Sequence, residues 1–205
     1  MAQGADWGAV VSNILARDFA SACTSLHLTM AMAFPDGSDS RALSMDEQNV
    51  LARYTQHRLM GTGYASIQST RPQTIGYGLV DSPTALAAWI FEKLAAWSDC
   101  GDDPESIFGR DAILDLTSLY WFTGTGASAA RLYWESYASL KSARVSVSTG
   151  ISLFPYELYQ PPQRWVERCY NLVYWSRPQQ GGHFAAWEQP KQFVKELWRF
   201  RSCLA

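Results

Sequence analysis

The hydrophobic pattern opens with a helix. From about residue 7 to 20 the apolar positions of Ala9-Val10-Val11-Ser12-Asn13-Ile14-Leu15-Ala16 recur at helical spacing. Thr24-Ser25-Leu26-His27-Leu28-Thr29-Met30 then alternates polar with apolar and predicts a strand. The turn residues of Pro35-Asp36-Gly37-Ser38-Asp39-Ser40 end that run, and from Ser44 the period is helical again, with Ser44-Met45-Asp46-Glu47 in the form of a capping box. This helix is expected to stop near Gly61-Thr62-Gly63. Ser82 followed by Pro83 announces another, centred on residues 85–94 and broken by Asp99-Cys100-Gly101-Asp102-Asp103-Pro104. Two more are expected over about 110–122 and 127–140, and no stretch between 35 and 140 reads as a strand.

Strand character returns in Ala143-Arg144-Val145-Ser146-Val147-Ser148-Thr149-Gly150. A helix at about 162–169, a strand at 171–175 and a final amphipathic helix from Lys191 to about Leu204 complete the pattern. The order fits the second half of an α/β fold with a parallel sheet, its core formed by residues 1–34 and 141–205 and a helical lid inserted over 35–140.

Composition narrows the function classes. With 205 residues, 47% of them hydrophobic, the chain can bury a sizeable core. Seventeen basic against nineteen acidic side chains give no electrostatic case for nucleic acid or an anionic membrane. No apolar run reaches the length of a membrane span and no signal peptide fits before Gly4, so a soluble cytoplasmic chain is the expectation. Cys23, Cys100, Cys169 and Cys203 are scattered, which suggests neither a zinc site nor a disulfide framework.

The candidate chemistry starts at Gly4-Ala5-Asp6-Trp7-Gly8, directly before the first helix. Small residues around one carboxylate at a helix start have the form of a nucleophile elbow, in which larger neighbours would clash with the strained turn. Asp6 would be the nucleophile and the Trp7 N–H an oxyanion donor. His183 follows Gly181-Gly182 just beyond the last predicted strand, where parallel sheets gather their ligands. Glu157 lies after the strand that ends near Gly150. Read singly, a lone histidine packs and a loop glutamate is solvated; nucleophile, acid, histidine is nevertheless the chain order of triads on the α/β-hydrolase scaffold.

Several motifs, in order, make the chain resemble the microsomal-type epoxide hydrolases. They are Gln3-Gly4-Ala5-Asp6-Trp7-Gly8, Tyr64-Ala65-Ser66-Ile67-Gln68-Ser69-Thr70-Arg71-Pro72, Asp81-Ser82-Pro83 with Ala87-Ala88-Trp89-Ile90, Tyr120-Trp121-Phe122-Thr123-Gly124, Phe154-Pro155-Tyr156-Glu157-Leu158, and Gly181-Gly182-His183-Phe184-Ala185-Ala186. One departure is Ala5, where the family commonly has a second glycine. The resemblance implies that Asp6 attacks an epoxide carbon to form an ester, that His183 oriented by Glu157 activates water, and that Tyr64 and Tyr133 are the two lid tyrosines donating to the opening oxygen. Outside that context either tyrosine reads as a packed core residue. Trp89, Trp121 and Phe122 suggest an apolar substrate pocket, or packing within the lid. An apolar epoxide and water are the implied partners, with no metal or organic cofactor.

The resemblance covers the family's C-terminal half. Three residues before Gly4 are too few for a buried strand, so the expectation is a truncated, weakly active hydrolase with an exposed sheet edge. The alternatives are a non-catalytic fragment that pairs through that edge with itself or another chain, and a haloalkane dehalogenase-like hydrolase, which also uses an elbow aspartate.

Overall fold

The computed structural model describes residues 1–34, 43–139 and 144–204. In chain order its elements are β1 (Ala2–Gly4), α1 (Asp6–Asp18), β2 (Ser25–Leu28), α2 (Met45–Met60), α3 (Gly63–Thr70), α4 (Pro72–Asp81), α5 (Pro83–Trp97) and α6 (Pro104–Phe108). There follow α7 (Arg110–Thr123), α8 (Gly126–Ser136), β3 (Val145–Ser152), α9 (Gln163–Cys169), β4 (Tyr170–Ser176), α10 (Ala185–Glu188) and α11 (Pro190–Ser202). They divide into a sheet unit, Met1–Tyr54 with Lys141–Ala205, and a helical unit, Thr55–Leu140. The turn-rich stretch 35–40 lies outside the described residues.

The sheet has four parallel strands in the order β1-β2-β3-β4. Its first strand corrects the sequence expectation: Ala2, Gln3 and Gly4 pair in register with Leu26, His27 and Leu28, and the Thr29 N–H donates to the Gly4 carbonyl at 3.2 Å. Three residues suffice because β1 needs to pair with only one described neighbour.

All four residues of β2 are buried, because helices cover both faces, as is usual for a parallel sheet. Leu26 and Leu28 join Ala9 and Ala16 of α1, Trp165 and Val166 of α9, Val145, Ile151 and Leu153 in the core of one face. On the other face His27 lies against Phe193 and Phe200 of α11. Its Nε2 is 3.0 Å from Ser152 Oγ, which bonds the buried Glu196 carboxylate, as does the Tyr174 hydroxyl. The polar half of the alternating pattern is thus interior. Phe200 sits so close to Gly150 that a Cβ there would lie 2.5 Å from Phe200 Cδ2.

The capping box at α2 is present in both directions: the Ser44 N–H donates to Glu47 Oε2 at 2.9 Å and the Glu47 N–H to Ser44 Oγ at 3.3 Å. Glu47 Oε1 also accepts from Arg164 Nε of α9 at 2.7 Å, and Tyr54 packs with Tyr159 and Phe34. These contacts bind the first half of α2 to the sheet unit. The unit boundary therefore falls between Tyr54 and Thr55, later than the expected 34–35.

Besides the short α6, the helical unit holds two helices the hydrophobic pattern did not reveal, α3 and α4. Arg71 precedes Pro72 and takes φ −142°, ψ 56°, which separates them. Gly76 and Gly78 weaken the helical signal of α4, since glycine costs about 1 kcal/mol in a helix interior. Packing overrides that cost. A Cβ on Gly76 would come within 3.1 Å of Ala127 Cβ, and one on Gly126 within 2.9 Å of Leu79 Cβ, so α4 and α8 meet across small residues. Ser82 caps α5 as expected, accepting from the Ala85 N–H. No helix among the described residues is long and apolar enough to cross a membrane.

Candidate active site

Asp6 stands where β1 turns into α1. Its φ of 46° lies in the left-handed region, an uncommon and strained setting for a residue with a Cβ. The turn is possible because Gly4 lies against the first turn of α1: a Cβ on Gly4 would be 2.3 Å from the Gly8 carbonyl oxygen. Gly8 is different from expectation, since a Cβ there would meet nothing within 4 Å. Of the two glycines only Gly4 is required by space, because the backbone of residue 8 fills the place of its side chain. The first helical bond runs from the Ala9 N–H to the Ala5 carbonyl, so the Trp7 N–H lies ahead of it at the positive end of the helix dipole.

The loops after β3 and β4 bring Glu157 and His183 together. Tyr156 and Gly182 form a parallel bridge, and the Tyr156 N–H donates to the Gly181 carbonyl at 3.1 Å. One residue further along each loop, His183 Nδ1 is 2.8 Å from Glu157 Oε1. Gly181 has φ 103° and no room for a Cβ beside Phe154, so the bend just before His183 favours glycine at this position. Glu157 Oε1 also accepts from the Leu158 N–H at 2.8 Å, while its Oε2 is buried without a hydrogen-bond partner.

His183 Nε2 lies 3.9 Å from Asp6 Oδ2, an ion-pair separation longer than a hydrogen bond. The His183 and Glu157 side chains are 2% and 0% exposed and that of Asp6 is 51% exposed, so the reactive oxygens face an accessible space. Burial works to lower the His183 pKa. The charge of Glu157 and the interactions with both carboxylates outweigh it and push His183 up to about 10. A cavity of about 310 Å³ opens beside the pair, lined by Asp6, His183, Gln3, Thr29, Trp187 and Phe193 among others.

Sequence reading missed Glu188. This buried carboxylate accepts from the Gly182 N–H at 2.8 Å and the Phe184 N–H at 2.9 Å, bracketing His183 on both sides. The signal was the four-residue step from Phe184 to Glu188, an acid within the single turn of α10, an element too short to show a period.

In the helical unit, Tyr64 of α3 and Tyr133 of α8 meet edge to face with ring centroids 5.7 Å apart. The structure thus unites two tyrosines that are far apart in the chain. Trp89 on α5 and Trp121 on α7 are half buried. Phe122, in the last turn of α7, is 84% exposed. Among the described residues no group of histidine, cysteine and carboxylate side chains could hold a metal ion.

A parallel sheet with a strained carboxylate at a strand–helix turn and an acid–histidine pair on the loops of later strands is a partial α/β-hydrolase fold. Its homologues are epoxide hydrolases. A putative epoxide hydrolase of Stigmatella aurantiaca (strain DW4/3-1) is 46% identical over 199 residues, which cover 96% of this chain and 45% of the relative. Epoxide hydrolase 1 of Sus scrofa is 34% identical, with 98% of this chain and 50% of the relative covered. Among solved structures, the epoxide hydrolase of Aspergillus niger superposes with a TM-score of 0.84 at 35% identity, covering 99% of this chain and 52% of that one. The juvenile hormone epoxide hydrolase of the silkworm Bombyx mori gives 0.86 at 29%, covering 98% and 54%. The chain spans about half the length of the relatives it matches. No protein-family model matches it.

Proposed function

We propose that this chain carries the chemistry of epoxide hydrolysis, converting an apolar epoxide and water to a vicinal diol. The single observation behind the reading is the line of Asp6, His183 and Glu157, with separations of 3.9 and 2.8 Å at one rim of the sheet. Asp6 Oδ bonds to an epoxide carbon as the ring C–O bond breaks, and the departing oxygen takes a proton from a phenol, the role given to Tyr64 and Tyr133. The product is an ester on Asp6. Water then loses a proton to His183 Nε2 and its oxygen adds to the ester carbonyl carbon. The Trp7 N–H stabilises the resulting oxyanion. As the adduct collapses its hydroxyl proton passes to the leaving alcohol oxygen, which releases the diol and restores the carboxylate, and the phenolate regains its proton through solvent. Carboxylate, imidazole and phenols carry every bond change, so neither metal nor organic cofactor is required.

The electrostatics support the order of steps. With Asp6 ionised, His183 is held protonated by two carboxylates and cannot act as base. Alkylation removes one of those charges, His183 becomes more acidic, and the neutral imidazole needed for the second step forms only after the first.

Purified chain incubated with styrene oxide is expected to yield the diol. Asp6→Ala should abolish it, and His183→Gln should accumulate a covalent adduct on the peptide containing Asp6, seen by mass spectrometry. Absence of both diol and adduct overturns the reading. Halide release from a haloalkane, unaffected by Tyr64→Phe plus Tyr133→Phe, would shift it to a dehalogenase.

A second reading draws on β1, a three-residue edge of the described sheet on which Gln3 Nε2 is buried without a hydrogen-bond partner. In that reading the chain works by pairing this edge with another polypeptide. A stable assembly in native mass spectrometry, without turnover, would be its signature.

A further inference from the structure

Lys93 of α5 is set unusually for a lysine. Its side chain is only 17% exposed, and Nζ lies 4.5 Å from the ring centroid of Tyr64 and 5.4 Å from that of Trp97. The two rings are themselves 5.1 Å apart at 60°, so the ammonium rests against a corner made of two π faces. Lysine ammonium groups are strongly hydrated and rarely leave water without a partner. Here the partners are the rings and the carboxylate of Glu92, which is 60% exposed and so well screened. Tyr133 of α8 closes the other side of Tyr64, edge-on, and is itself stacked on Tyr137 at 5.6 Å.

We propose that Lys93 is a positioning residue for proton donation by Tyr64, its ammonium stabilising the negative charge that spreads over the Tyr64 ring as the phenol gives up its proton. The proposal rests on the reading of Tyr64 as a proton donor. A cation within about 6 Å of a ring centroid is attracted to the neutral ring. It is attracted far more to a phenolate, whose charge is delocalised into that same ring. The interaction therefore strengthens during proton transfer, and an interaction stronger in the transition state than in the ground state speeds the step. Tyr133 meets Tyr64 through a ring edge, which adds packing and fixes the ring plane under the ammonium. Glu92 opposes the effect by drawing on the same cation, weakly because it faces water.

The role belongs to ring opening alone. Single-turnover kinetics of Lys93→Met are expected to show ester formation slowed about tenfold, a loss in the range of a partly desolvated cation–π contact, with ester hydrolysis unchanged. Lys93→Arg should restore the rate, and Glu92→Gln should raise it slightly. The Lys93→Met effect should vanish in a Tyr64→Phe background and persist with Tyr133→Phe. Equal slowing of both half-reactions would mark a merely structural contact and overturn the proposal.

A second measurement is independent of turnover. In the full chain labelled at tyrosine Cζ with carbon-13, the Tyr64 resonance, assigned through Tyr64→Phe, should titrate roughly one pH unit higher in Lys93→Met than in the parent chain. Lys93→Gln serves should the methionine variant fail to fold. An unmoved titration overturns the proposal. A shifted titration in a chain that forms no diol would instead overturn the hydrolase reading and leave the acidified phenol standing.

Discussion

Gly4 is pressed against Gly8: a Cβ at residue 4 would lie 2.3 Å from the Gly8 carbonyl oxygen and 2.7 Å from the Ala9 nitrogen, both fixed backbone atoms. The two glycines of the elbow therefore have opposite tolerances. Gly4→Ala must push β1 away from α1 and should destabilise the chain by about 3 kcal/mol or more, as overpacking against backbone does. Gly8→Ala enters open space in a helix and should stabilise it by about 0.5–1 kcal/mol. Urea unfolding of both variants checks the pair.

His183 makes stability depend on pH on the alkaline side. Its pKa is raised in the folded state to about 10 from an ordinary value near 6.5, so the folded chain binds the extra proton between those values. The stabilisation is full below about pH 6.5 and is lost as pH rises toward about 10. Denaturation midpoints measured across that window should fall with pH, and Glu157→Gln should flatten the slope by removing the main partner charge.

His27 acts in the opposite direction. Burial, only partly offset by Glu196, lowers its pKa to about 4. Stability is full above about pH 6.5 and falls as pH drops through about 4, by about 3 kcal/mol at 1.4 kcal/mol per pH unit. His27→Gln removes the titrating group, so acid unfolding of this variant should begin at lower pH relative to its own neutral-pH stability.

Glu188 holds the His183 loop through two charge-assisted bonds to backbone N–H groups. Glu188→Ala leaves both donors buried, at roughly 1–3 kcal/mol each. The expected result is a Tm lowered by several degrees and ester hydrolysis slowed at least tenfold, because the imidazole loses its fixed orientation. Glu188→Gln, with one acceptor oxygen, should fall between. Thermal melts and single-turnover rates distinguish the three proteins.

Much of this was legible from the residues. The six strand and helix signals within residues 1–34 and 144–204 rest on runs of apolar residues whose period the sheet unit preserves, and the caps at Ser44 and Ser82 are local chemistry that needs no tertiary information. What stayed hidden depended on contacts distant in sequence. Gly76 and Gly126 look like helix breakers until α4 and α8 are seen to need small residues between them. Three residues look too short for β1 until β2 is seen to supply their partners. Glu157 and His183 could be ordered along the chain, but their meeting depends on the Tyr156–Gly182 bridge, which no period records. Glu188 was missed because its partners are backbone groups, invisible to a search for side-chain motifs.

That bridge also decides how the site fails on heating. Since both loops hang from one stitched pair of backbones, glutamate and imidazole drift as a unit and keep their mutual spacing through considerable fluctuation of the rim. The aspartate sits on a separate turn with no such tether, so thermal inactivation should begin as a widening gap on its side of the imidazole while the buried acid–base couple is still intact.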